Sequence, residues 1–360
     1  MKIALVVMWL FDSYGNQLNK GGSQRYCIQL IRLLSKYYKV RVIQKASCDF
    51  SQTVEDVQVL GVRCMNNFFG ILQYSYKVRS MLYDDELAIY VYQEAAFPFV
   101  HTNSIAIQHG LNWNANNKYL KLLNRFVIQP YLLRRLRRVI CVDTAYINWV
   151  LTEISSSPSI FEKLKYIPNF VDLSIFNLSC SFNKEKPILF PRRMVIHRGV
   201  FLMYDAMKIL WSEGFNNKLI YCGRGDASSE ILELAKKEGY YDNIVIKEVG
   251  FDEMKFEYAN ALLSVIPTIA YEGTSLSCIE SMSTGCPVIV TYIGGLGNLV
   301  IPGFNGECVE PMPGKLAKSI KKIIQNEDIW NKYAAIEKMQ VKALDINQWN
   351  NKWLAVIKEI

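Results

Sequence analysis

Two series of alternating strand and helix patterns run along this chain, and they constrain its fold more than any other feature. Short apolar segments such as "KIALVV" and "RRVICV" alternate with amphipathic segments such as "SQRYCIQLIRLLSKY". Strands that are apolar on both faces and alternate with helices are typical of parallel sheets built from βαβ units. The pattern restarts at "KPILF", after residues 168–178. The sequence therefore predicts an α/β protein with two Rossmann-like domains.

The length of the chain agrees with two domains. A single core rarely extends beyond about 250–300 residues, and this chain has 360. We place the boundary near residue 172, which gives domains at 1–172 and 173–344. A final amphipathic helix is predicted within 345–360 and contains Trp349 and Trp353.

The first eleven residues, "MKIALVVMWLF", resemble either a short signal peptide or a first buried strand. Asp12 follows them and no small-residue cleavage site does, which favours the strand. The nine cysteines include no C-x-x-C pair, so neither a disulfide framework nor a zinc site is predicted. A reducing compartment is expected. No apolar run reaches the length of a transmembrane helix.

Positive charge is concentrated in the first half of the chain. Residues 1–172 contain 20 Lys and Arg against 12 Asp and Glu, whereas residues 173–360 contain 21 of each. This asymmetry indicates that the first half meets an anionic partner. Residues 118–140 form either an amphipathic membrane-surface element or a basic helix with one buried face. Their cations are Lys118, Lys121, Arg125, Arg134, Arg135, Arg137 and Arg138.

The segment "YEGTSLSCIESMSTGCPVIV" at 271–290 carries the strongest functional signal. It predicts a turn into a helix from about residue 276 to 284, and the N-terminus of such a helix can hold a phosphate. Glu272 is placed to hold a sugar, and Glu280 to hold ribose hydroxyls, although Glu280 is also compatible with a plain amphipathic surface. The loop therefore predicts a sugar-nucleotide site. Its residues are Glu272, Gly273, Thr274, Ser275, Leu276 and Glu280.

This segment, followed by "GG" at 294–295 and "GFNG" at 303–306, resembles the signature of the GT4 family of retaining glycosyltransferases. Other stretches resemble that family in the same order: "GGSQRYCIQLIRLLSKYYKVRVI", "IQHG", "YIPNFVDLSIF", "PRRMVIHRGVFLMYDAM" and "YCGRGD". The resemblance implies the GT-B fold, with two Rossmann-like domains facing a central cleft. It also implies an acceptor-binding first domain, a nucleotide-sugar-binding second domain, and a final helix at 345–360 that crosses back to the first domain.

Five residues depart from the family pattern. Gln24 and Asn298 stand where the family often has Glu, Arg198 replaces the usual Lys, and Thr274–Ser275 replace a bulky residue and Gly. The change at Arg198 is mild, and the other departures bear on the identity of the donor more than on the fold.

The resemblance also assigns roles at other positions. Arg193 and Arg198 would neutralise the diphosphate, with Arg192 directed outward, and Gly223 lies in the turn of "YCGRGD". His109 would contact the transferred sugar. The remaining positions are Gly21 and Gly22, whose backbone would approach phosphate or acceptor, with a plain tight turn as the alternative.

No D-x-D motif occurs in the chain, so we expect arginines and a helix N-terminus, without a metal ion or other cofactor, to stabilise the leaving group. No G-x-G-x-x-G motif occurs either, which argues against a nicotinamide enzyme.

These features predict a retaining, metal-independent glycosyltransferase. It would move a sugar from a UDP-, GDP- or ADP-sugar to a glycan or lipid-linked glycan in surface polysaccharide or glycoconjugate biosynthesis. We expect it to lie peripherally on the cytoplasmic face of an anionic membrane. The alternatives are a transferase with a small soluble acceptor, a non-catalytic sugar-nucleotide-binding protein of the same fold, and a nucleic-acid-binding protein. The last is disfavoured because no nucleic-acid-binding motif is present.

Overall fold

The chain folds into two units, each built around its own parallel sheet. A computed structural model describes residues 1–111 and 118–360, and of Phe68 only the backbone. The first unit contains Met1–Ile167 and Lys352–Ile360, and the second contains Pro168–Asn351. The division falls five residues before the predicted boundary at 172, and the returning segment begins at 352 instead of 345. The predicted α/β architecture with two Rossmann-like domains is confirmed.

The sheet described for the first unit has eight strands in the order β3-β4-β2-β1-β5-β6-β7-β8. All of its neighbouring strands are parallel except β3 and β4. The strands are β1 (Lys2–Val7), β2 (Lys39–Ala46), β3 (Phe50–Val54), β4 (Val57–Arg63), β5 (Glu86–Tyr90), β6 (Ser104–Gln108), β7 (Arg138–Cys141) and β8 (Leu164–Tyr166).

Helices of the first unit cover this sheet. They are α1 (Gly22–Ser35), α2 (Phe68–Met81), α3 (Lys118–Leu123), α4 (Gln129–Arg135), α5 (Thr144–Glu153) and α6 (Pro158–Phe161), and a π-helical segment at Asn124–Ile128 joins α3 to α4. One face of the sheet presents residues such as Ala4, Val6 and Tyr90 to buried side chains of α2, α4 and α5.

The antiparallel β3–β4 hairpin was not predicted from the sequence. Its two-residue turn consists of Glu55 and Asp56, which both have positive φ, at 52° and 59°. Such turns usually contain Gly or Asn, because other side chains are strained at positive φ. The Glu-Asp pair therefore gave no turn signal.

The second unit has a six-stranded parallel sheet in the order β11-β10-β9-β12-β13-β14. Its strands are β9 (Ile188–Phe190), β10 (Leu219–Cys222), β11 (Ile244–Lys247), β12 (Leu263–Ile266), β13 (Val288–Thr291) and β14 (Glu307–Val309). Its helices are α7 (Val200–Ser212), α8 (Ser228–Glu238), α9 (Met254–Asn260), α10 (Leu276–Ser283), α11 (Pro313–Ile324) and α12 (Glu327–Gln340).

Both faces of the second sheet are buried, as the apolar strands predicted. Ile188 and Phe190 of β9 pack into one apolar cluster, and Leu189 between them packs into the other. This alternation follows from the two-residue period of a strand. No helix in the described residues combines the length and hydropathy that a membrane crossing requires.

The last helix, α13 (Ile346–Lys358), begins in the second unit and ends in the first. Trp353 is fully buried in the first unit, and its indole Nε1 donates a hydrogen bond to the Tyr26 hydroxyl of α1 at 3.0 Å. The two rings meet edge to face. The C-terminal residues therefore complete the core of the first unit.

We expect Trp353→Ala to destabilise the first unit by about 3–5 kcal/mol, because the change leaves a cavity and removes the hydrogen bond to the Tyr26 hydroxyl. The measurement is the free energy of unfolding from denaturant titration. Lys352→Ala is the matched control, since Lys352 is exposed on the same helix and should change stability by less than about 0.5 kcal/mol. Equal stabilities of the two variants would contradict the packing role of Trp353.

Candidate active site

The candidate active site of the second unit lies where its strand order reverses. From β9 the chain continues to β10 and β11 on one side of the sheet, and then to β12, β13 and β14 on the other. In open parallel sheets, ligands bind beyond the carboxyl ends of the strands at such a reversal point. The segments that follow β9 and β12 therefore frame the expected site.

Glu272, in the segment after β12, is the centre of a buried ionic network. Its side chain is 9% exposed. Its Oε2 lies 2.6 Å from Nη2 of Arg192 and accepts hydrogen bonds from Arg198 Nη1 and, at 3.1 Å, from the hydroxyl of Thr268. Among the described residues, none donates a hydrogen bond to Oε1. One oxygen of the carboxylate is thus held by the protein, and the other is open to a ligand.

The network keeps Glu272 ionised. Burial alone would raise the pKa of Glu272, but the positive charges of Arg192 and Arg198 outweigh burial and hold that pKa below its ordinary value. Glu272 is therefore a carboxylate at neutral pH and can accept a hydrogen bond from a hydroxyl group.

The orientation predicted for Arg192 is wrong. Its side chain is 8% exposed and turns inward, because the buried carboxylate of Glu272 attracts the guanidinium and both charges require compensation away from water. The neighbouring Arg193 is exposed, and its side chain forms no ion pair with a described residue. Arg198 is partly buried beside Glu272. The roles of Arg193 and Arg198 in binding a diphosphate stay predictions.

Gly223 lies directly after β10 and allows two loops to approach closely. Its φ is +142°, and a Cβ atom at this position would lie 2.7 Å from the carbonyl oxygen of Arg192. Any other residue would push away the loop that carries Arg192 and Arg193. The role of Gly223 in binding the donor is untested, and its observed role is to bring this loop against β10.

The turn at Gly273–Ser275 leads into α10, close to the predicted boundaries. Thr274 and Ser275 are buried, and the carbonyl of Thr274 accepts a hydrogen bond from Asn169 Nδ2 at 2.5 Å. Ser275 occupies the N-cap position, but its side chain forms no capping hydrogen bond within the described chain. The first turn of α10, which begins at Leu276, therefore keeps N–H groups that an anionic ligand can engage.

Glu280 lies one turn into α10 and is buried. Its Oε2 accepts a hydrogen bond from the hydroxyl of Tyr258, in α9, at 3.1 Å. The alternative of an exposed amphipathic surface is thereby excluded. A role in holding ribose hydroxyls stays a prediction.

His109 lies in the first unit, directly after β6. Burial lowers the pKa of His109 to about 4, and a hydrogen bond with the backbone of Val91 opposes the shift only in part. The ring contacts Tyr26 and Tyr92, with centroids 5.1 and 5.6 Å away. In the described part of the chain, Nε2 is buried without a hydrogen-bond partner. His109 is therefore a neutral imidazole with one polar atom unsatisfied.

Gly21 and Gly22 stand at the beginning of α1, where Gly21 is the N-cap residue in an extended conformation. The side chain of Gln24, three residues on, donates a hydrogen bond to the carbonyl of Trp9 at 2.6 Å and ties this turn to the segment after β1. The arrangement agrees with a tight helix-entry turn, and contact with phosphate or acceptor is untested.

Three further polar residues of the second unit were not predicted from the sequence: Thr268, Asn169 and Tyr258. Thr268 follows β12 by two residues, as Arg192 follows β9. A search for polar residues just beyond the ends of neighbouring central strands would have found both. Asn169 lies in the stretch "YIPNFVDLSIF", but neither that stretch nor any pattern around Tyr258 predicts their contacts with residues 274 and 280, because these contacts join distant parts of the chain.

Comparisons with known proteins relate part of the chain to a family. The family profile described as "Glycosyl transferases group 1" matches residues 176–340. The resemblance to a glycosyltransferase family is thus confirmed for the region that contains the Glu272 network.

Several curated proteins are similar in sequence. Two glycosyltransferases of Methanocaldococcus jannaschii are 28% identical over 203 residues and 27% identical over 286 residues. The first alignment covers 48% of this chain and 51% of the relative, so this chain spans only about half the length of that relative. The second covers 76% of this chain and 77% of the relative. The O-antigen chain mannosyltransferase RfbU of Salmonella typhimurium is 31% identical over 133 residues, which are 37% of this chain and 36% of RfbU.

Solved structures share the fold over the whole chain. Sucrose-phosphate synthase of Thermosynechococcus elongatus has a TM-score of 0.79 at 16% identity and covers 99% of this chain and 98% of its own. HepE of Anabaena in complex with UDP has a TM-score of 0.78 at 15% identity, with 100% of both chains covered. At these identities the likeness concerns the fold, and it confirms the predicted GT-B class.

The state of His109 can be tested directly, because the chain has three histidines. We expect one imidazole resonance to titrate near pH 4 in an NMR pH series, since burial disfavours the charged ring. His109→Gln should remove that resonance and leave the other two. If the resonance that disappears in His109→Gln titrates above about pH 6 in the wild type, in the ordinary range of histidine, the ring of His109 is solvated and the prediction is wrong.

Proposed function

Because residues 176–340 form a glycosyl transferases group 1 domain in a chain with the GT-B fold, we propose that the protein is a retaining glycosyltransferase. It takes a sugar from a UDP-, GDP- or ADP-sugar and transfers it to a glycan or lipid-linked glycan. The observation that carries the proposal is the state of Glu272, an ionised carboxylate with one open oxygen beside several arginines.

The charges around Glu272 suit a nucleoside diphosphate. Arg192, Arg193 and Arg198 contribute three positive charges against the single negative charge of Glu272. The excess of two matches the two negative charges of a bound diphosphate ester. The uncapped N-terminus of α10 adds partial positive charge. This charge balance supports a leaving group that is stabilised without a metal ion.

Glu272, Glu280 and His109 each have a separate role in the proposed transfer. Oε1 of Glu272 accepts a hydrogen bond from a hydroxyl of the donor sugar, and Glu280 holds the ribose. Neutral His109 offers Nε2 to the transferred sugar. In a front-face reaction the leaving phosphate takes the proton of the acceptor hydroxyl, so the attacking group needs no separate strong base. The new bond forms on the side from which the nucleotide leaves, which retains the anomeric configuration.

A glycan acceptor in surface polysaccharide synthesis is supported by the names of relatives, such as the O-antigen mannosyltransferase RfbU. A nucleotide-sugar donor is supported by solved relatives of the same fold, since HepE was determined with UDP. The second candidate is a non-catalytic sugar-nucleotide-binding protein, which would bind the donor without hydrolysis or transfer.

The surface of the first unit supports a membrane location. Tyr119 in α3 is 83% exposed and Phe126 in the π-helical segment is 64% exposed. Lys118, Lys121 and Arg134 are exposed in the same stretch. Four further apolar side chains are exposed there: Leu120, Leu122, Leu123 and Val127. Apolar side chains among cations suit the headgroup region of an anionic membrane, so we propose peripheral binding at the cytoplasmic face.

The structure narrows the choice of cations for a test. Arg125 pairs with Glu153, and Arg137 donates a hydrogen bond to Asn103 at 2.8 Å. Substituting such residues would change packing as well as charge. Lys118 and Lys121 are better targets, because both are exposed and form no ion pair with a described residue.

The first test concerns the two glutamates. We expect Glu280→Ala to weaken binding of UDP, GDP or ADP by about 10- to 150-fold, because a charge-assisted hydrogen bond to the ribose is lost. Glu272→Gln should mainly lower turnover. Binding is measured by isothermal titration and turnover by release of nucleoside diphosphate, both with EDTA present. Glu230→Ala is the control, since Glu230 is exposed on α8. Unchanged affinity in Glu280→Ala would refute the ribose role.

The second test concerns the membrane. Each cation near an anionic surface contributes about 1 kcal/mol, so Lys118→Gln with Lys121→Gln should weaken binding to phosphatidylserine vesicles on the order of 30-fold at low salt. Tyr119→Ser with Phe126→Ser should remove the part of binding that persists at high salt. Co-sedimentation over a salt series measures both.

The matched control for the membrane test is Lys36→Gln with Tyr37→Ser, an exposed Lys-Tyr pair elsewhere in the first unit. If the wild-type protein does not bind anionic vesicles at low salt, the proposed membrane location is refuted. A soluble acceptor would then be favoured.

A further inference from the structure

The guanidinium of Arg192 joins three points of the segment that leads into α10. Nη2 contacts Oε2 of Glu272 at 2.6 Å, and Nη1 donates hydrogen bonds to the hydroxyls of Thr268 and Ser275, both at 3.3 Å. Thr268 lies at the beginning of the segment, and Ser275 is the N-cap residue of α10. A single buried cation therefore connects the end of β12, the carboxylate and the helix N-terminus.

This use of its donors distinguishes Arg192 from the two neighbouring arginines. Three of the five N–H groups of Arg192 are directed to oxygens of the protein, and its side chain is only 8% exposed, so a phosphate has little access to it. Arg193 is exposed, and the side chain of Arg198 is 18% exposed, so both can reach a ligand at lower cost. The geometry thus separates one arginine that faces the protein from two that can face a diphosphate.

Building on the proposed glycosyl transfer, we infer that Arg192 is a positioning residue for Glu272. By holding Oε2 it leaves Oε1 directed to the donor sugar, and by its charge it keeps the carboxylate ionised in a buried place. It contacts neither the sugar nor the phosphates.

The charges around Glu272 predict the effect of removing Arg192. Arg192 and Arg198 face the carboxylate directly, and the hydroxyl of Thr268 donates to it. His197 and the Cys278 thiol also interact with Glu272 electrostatically, and Arg193 acts on His197. Burial raises the pKa of Glu272, and without Arg192 the charge of Arg198 opposes burial largely alone. The pKa of Glu272 then rises, so the carboxylate takes up its proton at a higher pH. Activity should be lost at a higher pH on the acid side.

The experiment compares the wild type with Arg192→Met, Arg192→Lys and Arg193→Met. Turnover of UDP-glucose, GDP-mannose and ADP-glucose identifies the donor class, and kcat and KM for that donor are then measured from about pH 3 to 8, a range that includes the ordinary pKa of a glutamate. Affinity for the matching nucleoside diphosphate is measured by isothermal titration. Arg193→Met is the matched control, because it removes an adjacent cation that faces solvent.

For Arg192→Met we expect kcat to fall about 10- to 100-fold, because a charge-assisted contact to the reactive carboxylate is lost. The acid limb of the kcat profile should move to higher pH, because one of the two cations that oppose burial is lost. Diphosphate affinity should change less than about 3-fold, the size of a minor indirect effect. Arg192→Lys should return the acid limb toward its original position but restore kcat only in part, since an ammonium group cannot span three partners. Arg193→Met should weaken diphosphate binding without moving the acid limb.

Three outcomes would overturn the inference. An Arg192→Met variant that loses diphosphate affinity as strongly as Arg193→Met would make Arg192 a phosphate ligand. An acid limb that stays in place would show that Arg192 does not maintain the charge of Glu272. Failure of both Arg192 variants to fold, judged by circular dichroism and thermal melting, would make the residue structural. Failure of the wild type to turn over or bind any donor is distinguishable from these, because it refutes the proposed function itself.

Discussion

The buried ion pairs of Glu272 with Arg192 and Arg198 determine how the loops of the second unit are arranged. Charges removed from water are costly unless they are paired at close range, so the loops that follow β9 and β12 must converge on one carboxylate. Two glycines make this convergence possible. A Cβ at Gly199 would lie 1.8 Å from the carbonyl oxygen of Pro267, and one at Gly294 would lie 2.0 Å from that of Glu272. Backbone contact and side-chain pairing thus depend on each other.

The two units fix the protonation states of Glu272 and His109 in opposite ways. In the second unit, nearby cations keep the buried carboxylate of Glu272 charged. In the first unit, burial between aromatic rings keeps His109 neutral, with its pKa near 4. A charged carboxylate accepts hydrogen bonds strongly, whereas a neutral imidazole can donate or accept one. Both groups therefore have a fixed protonation state near pH 7, and neither needs to titrate for binding.

Much of this organisation was predictable, because it depends on local periodicity. The apolar strands, the helix from Leu276 and the glycine turns follow from spacing along the chain. The inward direction of Arg192 was not predictable in this way. Two adjacent arginines at 192 and 193 have the same local pattern, and only the fold shows which of them meets Glu272. The β3–β4 hairpin was not predicted for a related reason, since its Glu-Asp turn contains no glycine.

The return of the chain to the first unit has a consequence for synthesis. Trp353, which fills the core beside Tyr26, is translated only after the whole of residues 168–351. At about 5–20 residues per second, that interval lasts on the order of ten to forty seconds. During this time the strands of the first unit's sheet have all been translated, but the side chain of Trp353 that packs against α1 is still missing. The second unit, whose residues are contiguous, can finish folding before the unit that leaves the ribosome first.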